Sequence, residues 1–235
     1  FPELKEFEPG LIQGSYDSLK NNLYLTASIP KMVYGSTEMN DLLLDIHSDS
    51  TTLNYKVSTT SITNSQIELD NFIFDGKISG NKILANVSSI DDSNTKKLVI
   101  QSQISRDKSN YILRLDPKEF YLMNKSWDIA ADNYIEFGKL GLRIHHLFMN
   151  NGENQINIAS VHDKFNDDLN IAIKNFNLND ISQIVEKDTS LVAGKVDGNV
   201  LLKRVNNSYG IIADAQISIL AVHNVPIGNL SLKAD

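Results

Sequence analysis

Apolar and polar residues alternate with a period of two along almost the whole chain, and this constrains the fold more than any other feature. Leu23, Leu25, Ala27 and Ile29 alternate with Tyr24, Thr26 and Ser28 until Pro30 stops the run. Leu42, Leu44 and Ile46 repeat the pattern, then Leu53, Tyr55 and Val57. Ile67 and Leu69 lead to Phe72 and Phe74, with a phase slip near Asp70-Asn71 that suits a bulge or bend. Ile83, Ala85 and Val87 follow, then Leu98 and Ile100, and the second half continues alike to Leu232. Turn signals recur about every 8–12 residues, the mark of an all-β chain. Asp75-Gly76, Ser79-Gly80-Asn81, Asp91 to Asn94 and Asn150-Asn151-Gly152 are among them. Short connections predict antiparallel neighbours, and no helical period of the length a parallel crossover needs separates the strands.

The exception is Asn175–Leu202. There the period changes from two to about three and a half over Asp180–Lys187, which predicts a short helix within 178–190 as internal punctuation. The strand that follows carries Gly194 and Gly198. No Lys-Ser/Thr and helix follow them as a phosphate loop requires, so they read as structural glycines that let the strand bend or be approached closely.

Two architectures satisfy the alternation: a closed β-sandwich, or one elongated, curled, mostly antiparallel sheet whose apolar face lines a groove. The general frequency of such folds favours the sandwich.

Composition removes several functions. The 235 residues carry a net charge of −7 and no cysteine, and the pI is about 5.2. An acidic chain without a basic stripe does not read as a nucleic-acid binder. Disulfide scaffolds, Cys-ligated zinc and thiol catalysis are excluded. No apolar run is long enough to cross a membrane as a helix. The chain opens Phe1-Pro2-Glu3-Leu4 and closes Leu232-Lys233-Ala234-Asp235 in mid-pattern, so it reads as a piece of a longer protein whose membrane anchor lies elsewhere.

No constellation of reactive residues emerges. His145 and His146 are adjacent, so on a strand they face opposite ways and cannot share a metal. Ser160-Val161-His162 lacks a nucleophile elbow. Asp91-Asp92 and Asp167-Asp168 sit in polar clusters where Asp is turn chemistry, with no calcium-loop glycine and glutamate after them. The Asn-x-Ser triplets at Asn86, Asn124, Asn206 and Asn229 follow from an Asn- and Ser-rich composition. Trp127, expected as a structural residue, and Tyr134 are the candidates for stacking a sugar. Neither catalytic residues, metal nor cofactor are expected.

Residues 127–202 also resemble a known family. Trp127-Asp128-Ile129, followed by Asn133-Tyr134-Ile135-Glu136-Phe137, resembles a phrase of the TamB-type (translocation and assembly module) proteins of the Bacteroidetes. Leu142-Arg143-Ile144, Gln155 to Ser160, Leu169-Asn170-Ile171 and Phe176-Asn177-Leu178 continue in the same style. The Gly-x-Val-x-Gly-x-Val strand from Gly194 to Val200 is similar to that family's recurrent strand, and Pro2 to Tyr16 to another of its units. The resemblance implies a single β-groove segment over residues 1–235, related to AsmA-like and bridge-like lipid transfer proteins. It implies a periplasmic location, no enzymatic activity, phospholipid or other acyl chains as cargo, and a BamA-type outer-membrane barrel protein as partner.

On that reading the groove wall consists of alternating aliphatics: Leu23, Leu25, Leu42, Leu44, Leu53, Val57, Leu140, Leu142, Ile144, Ile156, Ile158, Ile171, Val196 and Val200. The alternatives are a scaffold for outer-membrane proteins that pairs strand edges with its partner, and a carbohydrate-binding or adhesive β domain.

Overall fold

The alternating runs become strands. The computed structural model describes residues 2–65, 67–122, 124–180, 192–205 and 208–234. It is all-β apart from a helical turn that begins at Leu178–Asp180; the rest of the expected helix lies outside the described residues. No helix among the described residues is long and apolar enough to cross a membrane. The chain divides into two units, residues 1–105 and 106–235.

The first unit contains β1 (Leu4–Phe7), β2 (Leu11–Asp17), β3 (Asn22–Tyr34), β4 (Thr37–Ser48), β5 (Thr52–Thr63), β6 (Glu68–Ser79), β7 (Lys82–Ile90) and β8 (Lys96–Asp107). From β3 to β8 each strand pairs antiparallel with the next, and both β1 and β2 pair with β3. Two signals read as strand breakers lie inside strands. Pro30 sits within β3, and Asp75-Gly76 within β6. Pro30 falls beside the ladder position of Asp41, whose backbone is left-handed at φ 52°, so its missing N–H interrupts no regular rung. Gly76 is paired on both sides, to Tyr55 and to Ala85.

The slip expected near Asp70-Asn71 is a bend. Asn71 has φ 43°, and the regular pairs Thr59 with Phe72 and Ser61 with Asp70 flank it. Thr60 stands between the two left-handed residues, and its hydroxyl donates to Asp41 Oδ2 at 3.0 Å. Asn71 Nδ2 in turn donates to the Ile90 carbonyl at 3.0 Å. The left-handed bends thus line up across neighbouring strands.

The second unit has two sheets. One is β9 (Asn110–Leu115), β13 (Tyr134–Gly138) and β14 (Gly141–His145), ordered β9-β13-β14. The other runs β12-β15-β16-β17-β18-β19-β20. Its members are β12 (Asp128–Ile129), β15 (Leu147–Asn151), β16 (Asn154–Ser160), β17 (Leu169–Asn177), β18 (Val192–Val205), β19 (Ser208–Val222) and β20 (Val225–Ala234). A two-rung hairpin, β10 (Tyr121–Leu122) with β11 (Lys125–Ser126), lies between β9 and β12 in sequence. Ile144, Leu147 and Leu169 form a buried cluster between the sheets, with Leu115, Ile135, Leu142, Ile158 and Leu202 packed against it. Trp127 is 2% exposed, stacks on Phe176 at 6.4 Å and donates its indole N–H to the Leu122 carbonyl at 3.1 Å. Beside it Lys125 reaches both oxygens of the buried Asp180 at 2.7 Å, which ties β11 to the start of the helical turn.

Gly194 has φ +147°, a region that side chains disfavour, and it marks a register shift between β18 and β19. At Gly198 a β-carbon would lie 2.8 Å from that of Ala215, so this glycine permits close approach of the neighbouring strand.

Candidate functional site

Paired residues of an antiparallel ladder share a face of the sheet, so the registers of the first unit sort its side chains. One row runs Ile12, Ala27, Leu44, Val57, Phe74, Val87, Ile100 from β2 to β8. Two residues along each strand lies a second row: Gly14, Leu25, Ile46, Tyr55, Gly76, Ala85, Ser102. A third carries Leu23, Leu53, Ile78, Ile83 and Ile104, and on the other flank stand Ile29, Leu42, Thr59, Phe72, Ser89 and Leu98. These rows contain no charged residue and no side-chain amide. The charges lie on the opposite face, where Asp45, Lys56 and Asp75 form one row.

Several hydroxyls on the apolar face are turned back into the sheet. Tyr55 donates to the Leu84 carbonyl at 2.9 Å, Ser89 to Asp70 at 2.7 Å, Ser102 to Ala85 at 2.9 Å and Ser48 to Asn21 at 3.3 Å. Thr59, 5% exposed, shares its one hydroxyl proton between the carbonyls of Asn40 and Ser61. Thr59 and Ser89 therefore satisfy carbonyls next to the left-handed bends. A face with its polar hydrogens so engaged makes few demands on water.

The hydrophobic side chains of the apolar face are partly rather than fully buried. Among the described residues of this unit the one buried hydrophobic is Val99, paired with Ser88 on the opposite face. Ala27, Leu44, Val57, Phe74, Val87 and Ile100 are only half-buried, and Ile12 is 65% exposed. A sheet with one apolar face is stable when that face is packed against something. Covering what remains exposed of each large side chain is worth up to about 1 kcal/mol.

The structure divides the expected wall residues. Leu23, Leu25, Leu42, Leu44, Leu53 and Val57 share this face. In the second unit Ile156, Ile158, Ile171, Val196 and Val200 share one face of the larger sheet. Ile144, however, is in the buried cluster, with Leu142 and Ile158 packed against it, so these three belong to an ordinary core. Leu140 stands outside the strands and is 54% exposed. Cover on this larger sheet falls off along its width: Leu147 and Leu169 are 8% exposed, while Ile211, Leu230 and Leu232 are 56%, 47% and 55% exposed. Phe74, Val87 and Ile100 belong to the first unit's face and were absent from the expected wall, although the same alternation marks them.

The polar candidates resolve into structural contacts. Asp91 Oδ1 accepts from the Ser93 N–H and hydroxyl and the Thr95 N–H at 3.0, 2.7 and 2.8 Å. Asp167 accepts the His162 N–H at 2.5 Å, and Asp168 that of Arg204 at 2.7 Å. His145 and His146 do not diverge as a strand pair would. His146 has φ 43°, which ends the extended alternation and lets both rings reach Asp132, at 3.6 and 2.7 Å. The His146 hydrogen bond holds Asp132 below the usual carboxylate range. No group of His, Asp and Glu among the described residues is arranged to hold a metal.

Sugar stacking finds no support. Trp127 is buried, and the Tyr134 ring is packed by His145 at 4.7 Å and by Arg143 at 5.1 Å. Arg143 in turn meets the buried Glu136 at 2.6 Å, and Asn110 donates to the same carboxylate at 3.0 Å. Comparison with known proteins finds no matching family model, no matching curated protein and no matching solved structure.

Proposed function

We propose that this chain is a non-catalytic segment that holds hydrocarbon, with phospholipid acyl chains lying on the apolar face of residues 1–105. One observation supports the reading: an apolar face without charge runs across β2 to β8, its Tyr55, Ser89 and Ser102 hydroxyls bonded to the main chain and none of its hydrophobic side chains fully buried. Hydrocarbon is the cover that such a face accepts without leaving a polar partner unsatisfied. Each methylene laid on it gains about 0.8 kcal/mol. With no cation or fixed hydrogen-bond donor among its rows, the face grips a chain in total but nowhere in particular, so a chain can slide.

The TamB-like resemblance supports the same reading. In that setting the segment belongs to a periplasmic conduit between inner and outer membranes that works with a BamA-type barrel protein. Native mass spectrometry of the purified chain, followed by lipid extraction, tests it. Co-purifying phospholipid is the expected result; a lipid-free chain that takes up none from vesicles overturns it. A second reading, an assembly scaffold that pairs its edge with a partner strand, draws on β20, which is exposed from Val225 to Ala234. Capture of an outer-membrane barrel protein that is lost on substitution of β20 would favour it.

A further inference from the structure

The apolar rows of the first unit stop at the line of left-handed bends, and a polar row follows them on the same face. β3 and β5 cross that line without a left-handed residue, so alternation carries the face from Ile29 to Lys31 and from Thr59 to Ser61. The ladder extends the row across four strands: Lys31 pairs with Asn40, Asn40 with Ser61, and Ser61 with Asp70. Lys97 of β8 joins through Asp70, Nζ to Oδ2 at 2.6 Å. Glu6 and Glu38 stand 3.2 and 3.4 Å from the Lys31 ammonium. The Asn40 amide links the members, donating to Ser61 Oγ at 3.0 Å and to Glu38 Oε1 at 3.1 Å.

The row is mixed in sign, and its two lysine side chains are 29% and 26% exposed. An ammonium carries three hydrogens and a carboxylate about four acceptor positions, so each ion pair keeps capacity for a further charged partner. The apolar rows beside it have a matching length. From Ile29 to Leu23 they run six residues along β3, about 20 Å. The hydrocarbon of one bilayer leaflet is about 15 Å deep, half of the core. An acyl chain laid along the strands therefore fits on these rows with its head at the bend.

We propose that Lys31, Asn40, Ser61, Asp70 and Lys97 form a headgroup rail for phosphatidylethanolamine, whose phosphate meets the lysines and whose primary ammonium meets Asp70 and Glu38. This rests on the hydrocarbon-binding reading above. Sign selects the headgroup: an anionic one would face the carboxylates Glu6, Glu38 and Asp70 against two lysines, and a choline has no N–H to donate. The rail also gives the sliding chain its path. The row runs across the strands, so a lipid shifts sideways from strand to strand, its chains on the apolar rows and its head among polar partners that recur along the way.

The test measures uptake by the whole protein, from vesicles, of phosphatidylethanolamine, phosphatidylglycerol and diacylglycerol with the same palmitoyl and oleoyl chains. The wild type should take up phosphatidylethanolamine about fivefold better than either of the others. Lys31→Gln combined with Lys97→Gln should bring phosphatidylethanolamine down to the diacylglycerol level and leave diacylglycerol uptake unchanged, which also shows the apolar face to be intact. Equal uptake of the three lipids, a preference for phosphatidylglycerol, or a double variant that still prefers phosphatidylethanolamine overturns the rail. Loss of diacylglycerol uptake in the double variant overturns it too, because the lysines would then be supporting the sheet itself. A wild type that takes up none of the three, diacylglycerol included, takes down the hydrocarbon-binding reading.

Discussion

Trp127→Ala removes the largest fully buried side chain described. The loss has three parts: the buried indole, its stacking on Phe176, and the hydrogen bond from its N–H to the Leu122 carbonyl. Truncating a buried aromatic to alanine costs about 3–5 kcal/mol, and the hydrogen bond is about 1 kcal/mol of that. Trp127→Phe keeps most of the ring and loses the N–H, so about 1–2 kcal/mol is expected. Urea unfolding followed by far-ultraviolet circular dichroism measures both variants. The chain has one tryptophan, so the native protein adds a direct optical check. Its emission should be blue-shifted and insensitive to acrylamide until the second unit unfolds. A cost below about 1 kcal/mol for the alanine variant, or emission like that of indole in water, would refute the reasoning.

At Gly76, alanine would place a β-carbon 2.0 Å from the Leu84 carbonyl oxygen as well as against Tyr55, so a cost of about 1–3 kcal/mol is expected. Because the nearer atom is main chain, Tyr55→Ala should not rescue it; rescue in a double-mutant cycle would show the ring to be the obstacle. Glu136→Gln leaves Arg143, a quarter exposed, without its carboxylate and should cost about 2–3 kcal/mol in urea unfolding, reduced from the fully buried case by that exposure. Asp91 is held below the ordinary carboxylate range by the Ser93 hydroxyl first, then the Thr95 N–H. A lowered folded pKa gives stability that is present above the unfolded value, about 3.9, and lost as pH falls through the folded one. Carbon-13 titration of the Asp91 carboxyl should therefore find its midpoint below that value, and Asp91→Asn should remove its share of the acid sensitivity.

Much of this was legible in the chain. Period-two alternation located most of the strands, and it placed Leu23, Leu25, Leu42, Leu44, Leu53 and Val57 on one face. The bend at Asn71 was legible as a phase slip. What alternation could not separate was closed core from partly buried face: Ile144 and Val57 obey the same pattern, yet one is in the buried cluster and the other only partly buried. Burial depends on which sheet lies opposite, and that is not written locally. Pro30 and Asp75-Gly76 misled for a related reason. Local turn chemistry yields when the neighbouring strand supplies a matching irregularity, the left-handed Asp41 beside Pro30 and the overlying Tyr55 at Gly76. The convergence of His145 and His146 on Asp132 depended on a single left-handed residue that periodicity cannot register.

Lys56 and Val57 are neighbours on β5 and belong to opposite faces of one sheet. A photo-crosslinking amino acid placed at either position, in protein mixed with phospholipid vesicles and irradiated, asks which face meets hydrocarbon. The account predicts lipid adducts from position 57 and none from position 56. Equal labelling of the two, or none at 57, would contradict it.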